Sequence, residues 1–332
     1  MRKVYDLSVA YNPFGPSKRV KNALRKAIKL LNTGIEREKG LLRKYIAMKE
    51  GIKEEFICFF QSLPFFLKSF CEVYSIGSIG FFRPLSKRLQ IVLEIFCKAV
   101  NGGVRVELLD VEKGLDSIPS GLDLLFLVYP HDVLGLRAPL NIGEIIDGAR
   151  TRGLKVVLDE TFKEFSTLKS PTPQQVVNSG EIMLIRSFSE FYGLGGIKLF
   201  CLFANERAME DIKRYLMFEE ISYLTYVAVR AGLKDKKFRE RTTELIKEEK
   251  DYLKNKAKNM SEITVEDTGL NFLLIKGPHL EKTEELLKRN DIIVQSYIDE
   301  REGFYLWLPV NKRRMNALFI KTLAKLIEQN KG

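Results

Sequence analysis

The feature that most limits the fold is a pair of short apolar runs, Leu124-Leu125-Phe126-Leu127-Val128-Tyr129-Pro130 and Val156-Val157-Leu158-Asp159. A strand with one wet face alternates apolar and polar residues. A run without that alternation marks a strand covered on both faces. Comparable runs predict seven strands: Phe56–Phe60, Gly77–Phe82, Val104–Leu109, Leu124–Tyr129, Lys155–Leu158, Ile182–Arg186 and Leu199–Phe203. Amphipathic segments between most of them predict helices at 63–74, 85–100, 142–152 and 172–178. This alternation predicts an α/β fold, with a mostly parallel central sheet and helices on both faces. Ligands of such sheets bind beyond the carboxyl ends of the strands.

The flanks differ from this middle. Before it lie an extended N-terminal piece, the turn Asn12-Pro13-Phe14-Gly15-Pro16-Ser17, and a basic helix with Val20, Leu24, Ile28 and Leu31 at helical spacing. Another helix is expected over 39–50. Residues 206–258 read as one or two long helices, apolar at Ile221, Leu224, Val227 and Val229 and then heavily charged. Beyond 262, strands at Ile263–Val265, Phe272–Ile275, Ile292–Gln295 and Phe304–Pro309 alternate with helices at 280–289 and 311–329. A chain of 332 residues has room for about two domains. The expected division is an arm and helix over 1–35, a large domain over 36–230 and a small α+β domain over 231–332.

Lys and Arg outnumber Asp and Glu by 54 to 43, for a net charge of +11. Both signs are interleaved, as in Lys234–Lys258, which favours a solvated, salt-bridged surface over a polyanion site. The basic strip Lys18, Arg19, Lys21, Arg25 and Lys26 keeps a nucleic-acid reading open, although aromatic residues are sparse there. Cys58, Cys71, Cys97 and Cys201 form no CxxC pair, and His131 and His279 are the only histidines, so no metal site is expected. The N-terminus lacks an apolar signal core, and no run of about 18 apolar residues is present. A cytoplasmic protein without a membrane span is the expectation.

Three segments carry candidate chemistry. In Ser187-Phe188-Ser189-Glu190-Phe191-Tyr192-Gly193-Leu194-Gly195-Gly196-Ile197-Lys198, two hydroxyls, a glycine-rich turn and a cation follow a strand. Backbone N–H groups and Lys198 there could cradle a phosphate; the same residues could form a plain serine-rich turn. Asp159 ends a buried strand, where a carboxylate can pair with a protonated ring nitrogen or serve a cap or ion pair. His131 leaves another strand in Tyr129-Pro130-His131-Asp132, as a general base or as a turn residue without chemistry.

In chain order these segments are similar to the motifs of one family. Asn12-Pro13-Phe14-Gly15-Pro16 is similar to NPLGPS and Leu42-Arg43-Lys44-Tyr45-Ile46-Ala47 to LREALA. Tyr129–Gly135 is similar to NPHNPTG, Leu158–Phe162 to VDEAY, Ser187–Lys198 to SFSKxFGLAGLR and Asn271-Phe272 to ANF. The chain thus resembles fold-type I pyridoxal-phosphate (PLP) enzymes of aminotransferase class I/II, in the histidinol-phosphate aminotransferase and threonine-phosphate decarboxylase branch. The resemblance spans nearly the whole chain. It implies the aspartate aminotransferase-like fold and a homodimer, with the N-terminal segment and the helix after Phe14 crossing between subunits.

The resemblance also implies site roles. Asp159 would hold the pyridine nitrogen protonated. Ser187, Ser189 and Lys198 would meet the phosphate, with Lys198 replacing an arginine and its bidentate fork. Gln61 and Ser62 fall where backbone N–H groups meet that phosphate, and Asn12 falls beside the substrate. Several positions depart from the pattern. Glu190 stands at the lysine that bonds the cofactor aldehyde, and a carboxylate has no nucleophilic amine to offer. Asp132 replaces the asparagine at the phenolic oxygen, Phe162 the tyrosine there, and Trp307 the arginine that clamps the substrate carboxylate. The partner-subunit tyrosine is missing around Gly34-Ile35-Glu36. Lys198, Lys163 and Lys87 are the nearest substitutes for the lost amine, each poorly placed.

The reading these departures favour is a pseudoenzyme acting as a partner or regulator. One alternative is an enzyme that binds PLP or its pyridoxamine form (PMP) without a covalent link, with Glu190 moving protons. A second is an ordinary aminotransferase or decarboxylase whose lysine lies elsewhere. The third is the nucleic-acid binder.

Overall fold

The structure, a computed structural model, describes residues 4–32, 36–180, 182–216, 220–260, 263–299 and 303–329. Gly34 and Ile35, at the expected position of the missing tyrosine, lie outside the described residues, as do the first three residues of the N-terminal piece.

The chain runs β1 (Tyr5–Asp6), α1 (Lys18–Ala27), α2 (Glu36–Glu50), β2 (Ile57–Phe60), α3 (Leu63–Tyr74), β3 (Ser78–Arg83), α4 (Lys87–Ala99), β4 (Arg105–Asp110) and β5 (Leu124–Val128). It continues through α5 (Ile142–Thr151), β6 (Lys155–Asp159), α6 (Pro173–Ser179), β7 (Ile182–Ser187), β8 (Phe200–Phe203), α7 (Glu206–Leu216), α8 (Tyr223–Leu233) and α9 (Lys236–Ala257). It ends with β9 (Thr264–Asp267), β10 (Phe272–Lys276), α10 (Leu280–Arg289), β11 (Ile292–Ile293), β12 (Gln295–Asp299), β13 (Gly303–Pro309) and α11 (Arg313–Gln329).

Strands β2 to β8 form one seven-stranded sheet in the order β2-β8-β7-β6-β5-β3-β4. Only β8 runs against its neighbours. The unbroken apolar runs do what their pattern requires. Leu125 and Leu127 of β5 join Val156 and Leu158 of β6 in one core, while Phe126 and Val157 point into a second core on the opposite face. Each face is covered by helices, which is why neither strand needs a polar side. Pairing sets Val128 beside Asp159 and Asp159 beside Ile185, so the carboxyl ends of β5, β6 and β7 align along one edge.

A second, antiparallel sheet has the order β12-β13-β10-β9. Leu273 and Ile275 of β10 face a third core with Leu253 and Phe319. Phe272 and Leu274 face the large sheet's core, as do Tyr297, Tyr305 and Trp307. The small sheet therefore presses an aromatic face against the carboxyl edge of the large one. Gly135 secures the junction. Its φ is +63°, and a Cβ there would sit 2.3 Å from the Thr268 carbonyl oxygen. The next residue, Leu136, donates its N–H to that same oxygen at 2.7 Å.

Three local expectations change. The predicted long helical region over 206–258 divides into α7, α8 and α9, because Ser222 caps α8 and Asp235 caps α9. Apolar periodicity does not register a cap inside a charged stretch. The basic helix ends at Ala27, and although Val20 is buried, Ile28 and Leu31 are 57% and 58% exposed. The described residues of this chain leave that end uncovered. The expected strand Ile292–Gln295 is two strands: β11, parallel to β1, and β12 in the small sheet.

Candidate active-site crevice

Asp159 is fully buried at the end of β6, and both of its oxygens are engaged. Oδ1 accepts from the Thr161 backbone N–H at 2.9 Å and from its hydroxyl at 2.5 Å. Oδ2 accepts from Nη2 of Arg88 at 2.8 Å. The same Nη2 lies 3.7 Å from Oδ2 of Asp132. Asp132 is itself buried and accepts from the hydroxyl of Ser86, the residue that caps α4. Thus β6, the turn after β5 and the start of α4 converge on one guanidinium.

Glu190 closes the cluster from the turn after β7. It is buried and accepts from the Ser187 hydroxyl. Burial raises the pKa of its carboxyl, with Arg88 and Ser187 pulling the other way and Asp159 adding to the rise. Tyr11 lies over Gly195, where a Cβ would meet its ring at 3.1 Å. Burial and the charge of Glu190 raise the Tyr11 hydroxyl, while Arg88 opposes them. The charge on Arg88 is held firmly: its desolvation is outweighed by Asp159, Asp132 and Glu190. Two of its donor atoms, Nε and Nη1, are buried without a partner.

The remaining candidates divide by use. Asn12 is buried, with Nδ2 donating to the Phe191 carbonyl at 2.7 Å and Oδ1 accepting from the Phe14 N–H at 3.0 Å. Its backbone N–H donates to the Glu190 carbonyl at 2.8 Å, so it braces the turn. Phe162 packs edge-on against Phe272 at 5.8 Å, and Phe272 packs on Trp307 at 4.8 Å. Trp307 is buried, and its indole Nε1 has no partner.

Around the expected phosphate position, Ser187 accepts from the Ser189 N–H at 3.2 Å and Ser189 Oγ from the Leu199 N–H at 3.4 Å. Ser62 caps α3, accepting from the Phe65 N–H at 3.3 Å. Pro64 follows inside the first turn of α3, so that turn has one N–H donor fewer for an anion. Lys198 is exposed, and its carbonyl accepts from Gln61 Nε2 at 3.0 Å.

Neither the spare histidine nor the spare lysines join the cluster. His131 is buried, and its Nδ1 accepts from the Val133 and Leu134 N–H groups, both at 3.2 Å. Burial lowers its pKa, which keeps the ring neutral as a turn support. Lys163 donates to the Leu168 carbonyl, and Lys87 is exposed at the start of α4. The basic residues Lys18, Arg19, Lys21, Arg25 and Lys26 are all exposed along α1, as a solvated helix face would be.

Sequence reasoning missed Arg88, Thr161, Ser86 and Tyr11. No sequence signal singled out Arg88: Lys87 and Arg88 open a helix whose first turn contains no acid, as Lys18 and Arg19 do at the exposed start of α1.

Comparison with known proteins places this geometry among relatives. The profile of the family described as aminotransferase class I and II matches residues 97–331. A histidinol-phosphate aminotransferase 2 of Archaeoglobus fulgidus is 24% identical over 98% of this chain and 94% of its own length. The crystal structure of the histidinol-phosphate aminotransferase of Clostridium acetobutylicum superposes with a TM-score of 0.81 at 19% identity, over 98% of this chain and all of that one. The L-threonine-O-3-phosphate decarboxylase of Porphyromonas gingivalis gives 0.76 at 16% identity, over 98% of this chain and all of its own. A histidinol-phosphate aminotransferase of Sinorhizobium meliloti, solved with pyridoxal-5'-phosphate, gives 0.81 at 16% identity, over 99% of this chain and 92% of that one. These superpositions establish the aspartate aminotransferase-like architecture.

Proposed function

Since the chain belongs to the aminotransferase class I and II family, we propose that it keeps that architecture without the family's amino-transfer chemistry and works as a non-catalytic partner or regulator. The observation that carries this is Glu190. It stands where the resemblance puts the lysine, buried and accepting a hydrogen bond from Ser187, with Arg88 and Asp159 acting on its charge. Transamination needs a primary amine to bond the aldehyde and then to move the proton. A buried carboxylate supplies no such nucleophile.

The residues present do not fit PLP. The carboxylate that would hold the ring nitrogen already binds Thr161 and Arg88. Phe162 cannot donate a hydrogen bond to the phenolic oxygen, and Asp132 adds an acid near it. Pro64 and the internally engaged serines leave few donors for a phosphate. Trp307 removes the charge that would clamp a substrate carboxylate.

One observation favours a second reading. The raised pKa of Glu190 suits a proton carrier beside PLP or PMP held without a covalent bond. That reading requires Arg88 to leave the crevice.

The proposed unit is a cytoplasmic homodimer, divided at about residues 35 and 230 into arm, large domain and small domain. Ile28, Leu30 and Leu31, just beyond α1, and Leu41 and Met48 on α2 support the pairing: they are 39–74% exposed. A cluster of large apolar side chains in water marks an interaction surface. None of the described helices is long and apolar enough to cross a membrane.

The test is amino-group exchange by purified protein supplied with PLP, glutamate and histidinol phosphate or other amino acids. No exchange above a mock purification is expected. Turnover that follows the protein peak through successive columns would overturn the proposal.

A further inference from the structure

Loss of one lysine alone would leave an open pocket; here an arginine side chain also stands beside Asp159 and Asp132. We propose that the guanidinium of Arg88 is a built-in occupant of the cofactor site, a planar cation taking the place of the pyridinium ring, so that the crevice is closed to PLP by the chain's own side chain. This rests on the reading of Glu190 above and goes one step further.

Three observations carry it. First, Arg88 Nη2 sits 2.8 Å from the Asp159 oxygen that the resemblance reserves for the ring nitrogen. The other Asp159 oxygen is saturated by Thr161. A ring nitrogen could reach Asp159 only against a fixed positive charge, which disfavours its protonated form. Second, Arg88 has no local reason to be where it is. It occupies the first turn of α4 beside Lys87, with no acid in that turn, so the helix dipole works against it. Its attraction comes from Asp159, Asp132 and Glu190, which belong to three other segments. Third, the fit is incomplete in the way a replacement would be. One cation faces three acids, while its Nε and Nη1 are buried and unpartnered. A pocket shaped around an arginine would give a five-donor fork more acceptors.

Two measurements decide it. In the first, Arg88→Ala is melted with and without millimolar methylguanidinium. The melting temperature is expected to fall by roughly 5 °C. Methylguanidinium should restore most of that loss, while equal concentrations of tetramethylammonium or sodium chloride should not. An unchanged melting temperature, or equal rescue by every salt, would overturn the proposal. Arg88→Met, which keeps an apolar stem, replaces the alanine variant if that one does not fold.

The second measurement restores the amine. Glu190→Lys and the double variant Arg88→Met/Glu190→Lys are each titrated with PLP, and the absorbance of a protein-bound imine is followed. In that step the lysine nitrogen condenses with the aldehyde carbon and water leaves. The band is expected in the double variant and not in Glu190→Lys. Its appearance in Glu190→Lys alone would show an open pocket and overturn the plug, leaving the non-catalytic reading intact. Its absence from both variants would also overturn the plug. A band in the unaltered protein would instead overturn the reading of Glu190.

Discussion

Asp159, the last residue of β6, and Glu160, the residue after it, each anchor a different arginine cluster. Glu160 holds Arg186 through Oε2 at 2.8 Å, and Glu50 holds the same guanidinium at 2.9 Å. The other oxygen of Glu160 accepts from Ser170, and the Phe203 ring lies 5.4 Å from the Arg186 guanidinium carbon. Asp159 holds Arg88, but there one cation answers three acids and two of its donors are unused. No nitrogen of Arg186 is among the buried donors left without a partner, as expected of a cluster that serves the fold; at Arg88 two are, in line with the proposed refilling of the site from within. Buried charges are tolerated when paired, and the unmatched remainder is a liability.

The difference can be broken experimentally. The largest effect is expected for Arg186→Met, which strands the buried Glu160 and takes the guanidinium from the partly buried Glu50. It should cost about 3–5 kcal/mol in chemical denaturation. Arg88→Met should cost less, about 2–3 kcal/mol, because the stranded carboxyls include one that burial already inclines toward its protonated form. If the two losses were reversed, the contrast between the clusters would be wrong.

Removing an acid sharpens the contrast further. Glu190→Gln should stabilise the protein at neutral pH by an amount on the order of 1 kcal/mol, since it removes a surplus buried acid and keeps a polar group beside Ser187. Glu160→Gln should destabilise it. A slope in pH accompanies the first change. The Glu190 carboxyl binds its proton more tightly in the folded state than in the unfolded state. Its contribution is therefore present below the ordinary glutamate value of about 4.3 and is lost as pH rises through the raised one. Glu190→Gln should remove that part of the slope in a series of melts across pH. His131 contributes the opposite sign. Its lowered pKa means that stability falls as pH drops below the ordinary imidazole value of about 6.5.

The smallest effect on folding is expected outside both clusters. Leu31→Lys with Met48→Glu changes two exposed side chains, and the chemical-denaturation midpoint should barely move. Sedimentation should nonetheless shift from dimer to monomer if α1 and α2 form the subunit contact.

The sheet was legible because burial on two faces leaves a direct mark in sequence: Leu125 and Phe126 face different cores and both must be apolar. The motifs then located Asp159, Asp132, Ser187 and Glu190, which the fold gathers at one edge. Arg88 was not legible, since an arginine opening a helix looks like any solvated surface cation until its three partners arrive from distant segments. The caps at Ser222 and Asp235 escaped for a related reason: one hydrogen bond ends a helix without disturbing the apolar period around it. The exposure of Ile28 and Leu31 was hidden because helical spacing tells which residues share a face, not whether this chain covers it.

The central claim is that no amine of this protein captures the PLP aldehyde. Incubation with PLP, reduction with borohydride and peptide mapping by mass spectrometry test it directly. The account predicts no lysine-containing peptide carrying the pyridoxyl mass above the level on a heat-denatured control. A single lysine modified in near-stoichiometric yield, and protected when the protein is unfolded first, would contradict it.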